Sequence, residues 1–142
     1  MMAKKRKAEA AMDDQITEHF RWSEAACGEV EVPDDLRDNA RRMAEALEVV
    51  RHALGDRPIV VLSWYRTPEA NAACGGSPRS RHLLAEAADI RCPPLGARTI
   101  YAVCDRLQAE GAIPLGGLHA YTDRPQERQF VHIDIRGTRA RW

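Results

Sequence analysis

The sequence predicts an α+β domain, with a small and mostly antiparallel sheet flanked by helices. Three observations carry that prediction. One long helical stripe fills the first half of the chain, short strand-like runs gather in the second half, and the last two runs stand at hairpin-like spacing. Residues 1–15 read as a polar lead-in, and residues 16–142 as a single domain with no repeat and no linker.

The elements follow in order. "HFRWSEAACG" at His19–Gly28 brings Phe20 and Trp22 to pack on the domain, and Ser23 is placed to cap a turn. From Pro33, Leu36, Ala40, Met43, Leu47, Val50 and Leu54 recur at steps of four and three, which is one face of a helix. Asp34 and Asp35 suit its positive N-terminal end and Gly55 its stop, while His52 reads as a surface residue. "RPIVVLSWYR" reads as a buried strand over Pro58–Trp64, ending in Tyr65 and Arg66. "TPEANAACGGSPRS" starts a helical turn after Pro68 and passes into a Gly/Ser/Pro loop. Ala87–Arg91 reads as a strand stopped by Pro93 and Pro94. Ala97–Glu110 forms a second amphipathic helix with Ile100, Val103, Cys104 and Leu107 inward, closed by Gly111. "PLGGLHAY" and "QFVHIDIR" then read as neighbouring strands joined through "TDRPQER".

Composition excludes several classes. Of the 142 residues 44% are hydrophobic and 30% charged, enough for one core and too apolar for wholesale disorder. Lysine plus arginine equals aspartate plus glutamate at 21 each, so bulk charge gives no reason to expect a nucleic-acid partner. The one basic run, Lys4–Lys7, reads as a solvated tail. The longest aliphatic run, Pro58–Leu62, is far short of a membrane span, and the N-terminal residues lack the apolar segment of a signal peptide. Synthesis in the cytoplasm is the expectation. Cys27, Cys74, Cys92 and Cys104 form no CxxC pair, which argues against a cysteine-rich zinc site; a reduced state is the default, with Cys104 an apolar filler.

The piece "HIDIR" carries the chemistry. In an extended chain His132 and Asp134 share one face, and Val131, Ile133 and Ile135 form the opposite row. The polar face is either an ordinary strand surface or the floor of a site. His82 and Asp89, seven residues apart around a loop-to-strand corner, could join His132 as two nitrogens and one oxygen. Three such ligands with one open position is the pattern of a catalytic zinc. By spacing alone, this trio is one of several that five histidines allow.

"SRHLLAEAAD" at Ser80–Asp89 resembles the S-x-H-x-x-G-x-A-x-D motif of the zinc D-alanyl-D-alanine carboxypeptidases, a superfamily shared with lysostaphin-like peptidases and the hedgehog domain. "SWYRTPEAN" resembles its S-G-Y-R-S-P-x-x-N segment, "GGLHAY" its G-G-x-G-x-Y, and "FVHIDIRGTRARW" its F-V-H-x-D-x-R-G-x-x-x-R-W stretch. "FRWSEAACG" is similar to the lead-in of a subgroup found in phage and prophage lysins. The blocks keep the family's order from Phe20 to Trp142.

The resemblance implies a hedgehog/D-Ala-D-Ala peptidase-like fold and one Zn2+ per chain held by His82, Asp89 and His132. Asp89 would leave the metal a residual positive charge with which to activate water. Arg66 matches the arginine that stabilises the developing oxyanion. Where some relatives place an acidic base, three residues before the last ligand, this chain has Gln129. Asp134 is then either the general base or a partner that orients an imidazole. Ser80, His119 and Tyr121 are the candidates for substrate contact, Ser80 also as a loop-orienting hydrogen bonder; Arg141 and Trp142 read as a structural clamp. Three departures stand out. Ala85 replaces a glycine, which is tolerable if its backbone angles are ordinary. His119 replaces another glycine, and Trp64 a third, where it would add bulk near Arg66.

The expected function is hydrolysis of peptidoglycan stem or cross-link peptides, as a carboxypeptidase or an endopeptidase. The alternatives are a non-catalytic zinc-bearing module that binds peptidoglycan or a partner protein, and a structural piece of a phage tail or injection machine. Release through a holin or carriage in a virion would bring the protein to the wall.

Overall fold

A computed structural model describes residues 14–142. The run Lys4–Lys7 and most of the expected lead-in lie outside the described residues. Asp14 already belongs to the fold: its carbonyl accepts from the Trp22 N–H and its carboxylate from the Ser23 hydroxyl.

Helix α1 is a single turn, Trp22–Ala25. A 3-10 turn over Asp34–Leu36 leads into α2, Arg37–Ala53. Strand β1 covers Val60–Ser63 and helix α3 Pro68–Ala73, the latter capped by the Thr67 hydroxyl. A second 3-10 turn, Arg81–Leu84, enters β2 at Ala87–Arg91. Helix α4 is Ala97–Ala109, β3 Gly117–Tyr121, β4 Phe130–Asp134 and β5 Ala140–Arg141. The sheet order is β1-β2-β4-β3-β5, antiparallel throughout except for the parallel pair β3 and β5. This is the expected α+β class with a mostly antiparallel sheet. Among the described residues, no helix is long and apolar enough to cross a membrane.

The period-3.6 stripes do what their spacing dictates. Ala40, Met43, Leu47 and Val50 of α2 and Ile100, Cys104 and Leu107 of α4 are buried together against one face of the sheet. That face is supplied by alternate strand residues: Ala88 and Ile90 of β2, Leu118 of β3, Val131 and Ile133 of β4. Gly55 ends α2 with φ at +87°. Phe20 meets Trp64 edge-on at 6.4 Å in the same core, and Trp22 lies under the Arg37 guanidinium at 4.0 Å.

Strand β1 corrects the expectation of a buried strand. It is an edge strand, paired only with β2, and Val60 and Leu62 are 45% and 44% exposed. A continuous aliphatic run says nothing of whether a second neighbour or a helix covers it.

The register then decides what meets on the other face. Ser63 pairs with Asp89, Asp89 with His132, and His132 with His119. Cross-strand partners point to the same side of the sheet. One transverse row across β1, β2, β4 and β3 therefore carries four polar side chains away from the core.

Candidate metal centre

Three ligand atoms converge on that row. Histidine, aspartate and histidine at 82, 89 and 132 are all buried, and one nitrogen or oxygen from each lies within 4.8 Å of the others. Asp89 comes from β2 and His132 from β4 as direct neighbours in the ladder. His82 comes from the 3-10 turn before β2, where the Ser80 hydroxyl accepts from the His82 N–H.

Each histidine is turned by an acceptor on its far nitrogen. His82 Nδ1 donates to the Trp64 carbonyl at 2.7 Å, so Nε2 faces Asp89 Oδ1 at 3.1 Å. His132 Nε2 donates to Asp134 Oδ2 at 2.8 Å, so Nδ1 faces the same Asp89 oxygen at 3.2 Å. Metal-binding histidines are held in this way, with the outer nitrogen on a carbonyl or carboxylate that fixes tautomer and ring orientation. Two imidazole nitrogens and one carboxylate oxygen suit zinc. The residues present fit the group.

Burial works against charge on Asp89, yet the hydrogen bonds and charges of His132 and His82 hold its carboxyl below the usual carboxylate range. Its second oxygen accepts from Arg66 Nη2 at 3.0 Å. Arg66 is itself held by the Ser63 hydroxyl at 3.0 Å and approaches Asn71 Oδ1 at 3.5 Å. Asn71 also donates to the Ser77 carbonyl, and a Cβ at Gly76 would meet its side chain at 2.1 Å. Glycine there lets the loop close over Asn71.

Asp134 does not reach the cleft. It is fully buried, with Arg136 donating to both of its oxygens at 3.0 and 2.7 Å and the Gly117 N–H to one at 2.7 Å. Burial opposes its charge, and the bonds from His132, Arg136 and Gly117 outweigh that and lower the carboxyl. A Cβ at Gly116 would stand 1.7 Å from the Asp134 carbonyl, and one at Gly117 2.3 Å from its carboxylate. The paired glycines of "GGLHAY" are there for this close approach.

An open cleft of about 710 Å³ lies over the trio, lined by Arg66, Ser80, Tyr121 and Trp142 among others. Of the expected substrate contacts, Ser80 and Tyr121 line it. His119 is not part of its lining and stacks on Trp142 at 5.3 Å, with its Nδ1 against the Trp142 main-chain oxygen. Trp142 differs from the clamp expected of it, since it borders the cleft and is 55% exposed. Arg141 does clamp the fold, reaching the Gly116 carbonyl, Asp105 and Gln108. Gln129 ties the β3–β4 connection by donating to the Thr122 and Arg124 carbonyls.

Two departures resolve against expectation. Trp64 adds no bulk to the cleft: it is fully buried in the core, and its indole N–H donates to the Ala85 carbonyl. Ala85 does not have ordinary angles, for its φ is +58°, in the left-handed region that favours glycine. Sequence reading also passed over Arg136, although its place two residues after Asp134 was open to the same alternation argument.

A family model described as Peptidase M15 matches residues 18–134, a span that contains the trio and Arg66. The zinc D-Ala-D-Ala carboxypeptidase of Streptomyces albus G is 41% identical to the chain over 54 residues. That match covers 38% of this chain and 21% of the relative's length.

Proposed function

Because the chain belongs to the peptidase M15 family, we propose that it is a zinc peptidase cutting peptidoglycan stem or cross-link peptides, of the D-Ala-D-Ala carboxypeptidase or endopeptidase type. One observation carries the reading. Two histidines, each locked at its outer nitrogen, turn their inner nitrogens to a shared Asp89 oxygen beneath an open cleft. His82, Asp89 and His132 would hold the metal. When bound, zinc supplies a Lewis acid that activates water toward a peptide carbonyl.

The other roles belong to the chain. Arg66 keeps Asp89 oriented through one guanidinium nitrogen and presents permanent charge to a carbonyl oxygen that becomes negative in the reaction. Asp134 keeps the proton on His132 Nε2 and so leaves Nδ1 free to bind metal. It is a positioning residue in this reading, since its acceptor sites are taken and it has no exposure to the cleft. Ser80 holds the turn that carries His82, and Tyr121 offers an aromatic edge to substrate. Delivery to the wall through a holin or within a virion belongs to the same proposal.

Purified protein is expected to carry about one zinc per chain, and His82→Ala or His132→Ala to lose it, as read by elemental analysis. Digestion of purified peptidoglycan, with and without chelator, tests the activity. New muropeptides by mass, absent with chelator, are the expected result and name the bond. Identical muropeptides in both would overturn the peptidase assignment.

A further inference from the structure

The chain is neutral overall, but the metal cleft is not. Arg66, Arg79, Arg81, Arg124 and Arg136 line it against a single acidic side chain, Asp89. Three of these arginines are committed inward: Arg66 to Asp89, Arg136 to Asp134, and Arg81 to Glu86 at 3.5 Å. Two are not. Among the described residues Arg79 pairs only its main-chain N–H, with the Ser77 hydroxyl, and its exposed guanidinium meets no carboxylate. Arg124 reaches only Asp123 at 3.3 Å, whose side chain is 81% exposed, and lies 5.2 and 5.1 Å from the rings of Tyr121 and Phe130. Both rings line the cleft.

Two loops therefore bring to one concave surface a guanidinium with no carboxylate partner, Arg79 from the segment before the Arg81–Leu84 turn, and one paired only with an exposed carboxylate, Arg124 from the β3–β4 connection. A guanidinium presents paired N–H donors that match a carboxylate, and a cleft lined by one sign of charge concentrates the opposite sign. We propose that Arg79 and Arg124 make this cleft selective for peptides bearing a free carboxylate, and that the same peptide with that group amidated is discriminated against. The inference rests on the peptidase reading of the same cleft and narrows its substrate class. Such a carboxylate has two sources in a peptide, the C-terminus and an acidic side chain.

Binding of labelled peptides to the zinc-loaded protein, followed by fluorescence anisotropy before turnover, tests this. Three peptides of equal length are compared: one with both carboxylates free, one with the side-chain group amidated, and one with the C-terminus amidated. The fully acidic peptide is expected to bind about tenfold more tightly than at least one amidated form. The form that loses affinity identifies the source. The double variant Arg79→Gln/Arg124→Gln should erase that difference, and Arg106→Gln, which removes an exposed charge from α4, should keep it. Raised salt should weaken the preference. Equal binding of all three peptides by the wild type, or a preference that survives the double variant, would overturn the inference. Mass analysis of the same mixtures reports separately on the reaction. A carboxylate preference without cleavage supports the inference while removing the peptidase assignment.

Discussion

Asp134 was one residue with two candidate roles in the sequence, and its surroundings support the positioning role proposed for it. A general base needs an open lone pair facing water in the cleft. Asp134 instead spends its oxygens on His132, Arg136 and Gly117 with no exposure. Alternation along β4 placed it on the face of His132, which was legible; what stood above that face was not. The carboxylate that orients a metal-binding imidazole has a measurable signature. Asp134→Asn should keep the fold and lower zinc affinity by about 10- to 100-fold, read by competition with a chelating dye. Unchanged affinity would remove Asp134 from the positioning role.

The connection from the Arg81–Leu84 turn into β2 shows what element-level reading misses. The end of β2 was readable because Pro93 and Pro94 follow it, and β4 because its apolar and polar residues alternate. The left-handed backbone at Ala85 leaves no mark in composition or periodicity; only the resemblance to a family glycine pointed at the position. Its methyl group sits in a conformation that costs an L-residue about 1–2 kcal/mol. Glycine loses more chain entropy on folding, which offsets part of that gain. Ala85→Gly is therefore expected to stabilise the domain by roughly 0.5–1 kcal/mol, seen as a higher urea midpoint at unchanged slope. A lower midpoint would mean that packing of the buried methyl outweighs the backbone strain. The burial of β1 was misread for a related reason. Periodicity reports which residues share a face, and says nothing of how many neighbours an element acquires.

Across the whole molecule, the core and the site occupy opposite faces of one sheet, and the cysteines report on that division. All four are free thiols. Cys74 is exposed at the cleft, whereas Cys92 and Cys104 are buried and burial pushes the Cys104 thiol up to about 12. A thiol reagent should label Cys74 quickly in the native protein, and Cys92 and Cys104 only after unfolding. Fast labelling of Cys104 in the folded state would contradict the core described above. The transverse row of Ser63, Asp89, His132 and His119 has a larger consequence. Because a slip of one residue in β2 or β4 would turn that strand's ligand toward the helices, the donor set exists only when the central ladder is in register. A metal bridging His82 and His132 would also close a loop of roughly fifty residues, restricting the unfolded chain. Metal capture would thus act as a checksum on strand alignment: chains that pair their strands wrongly would fail to load, and loading would lock those that pair them correctly.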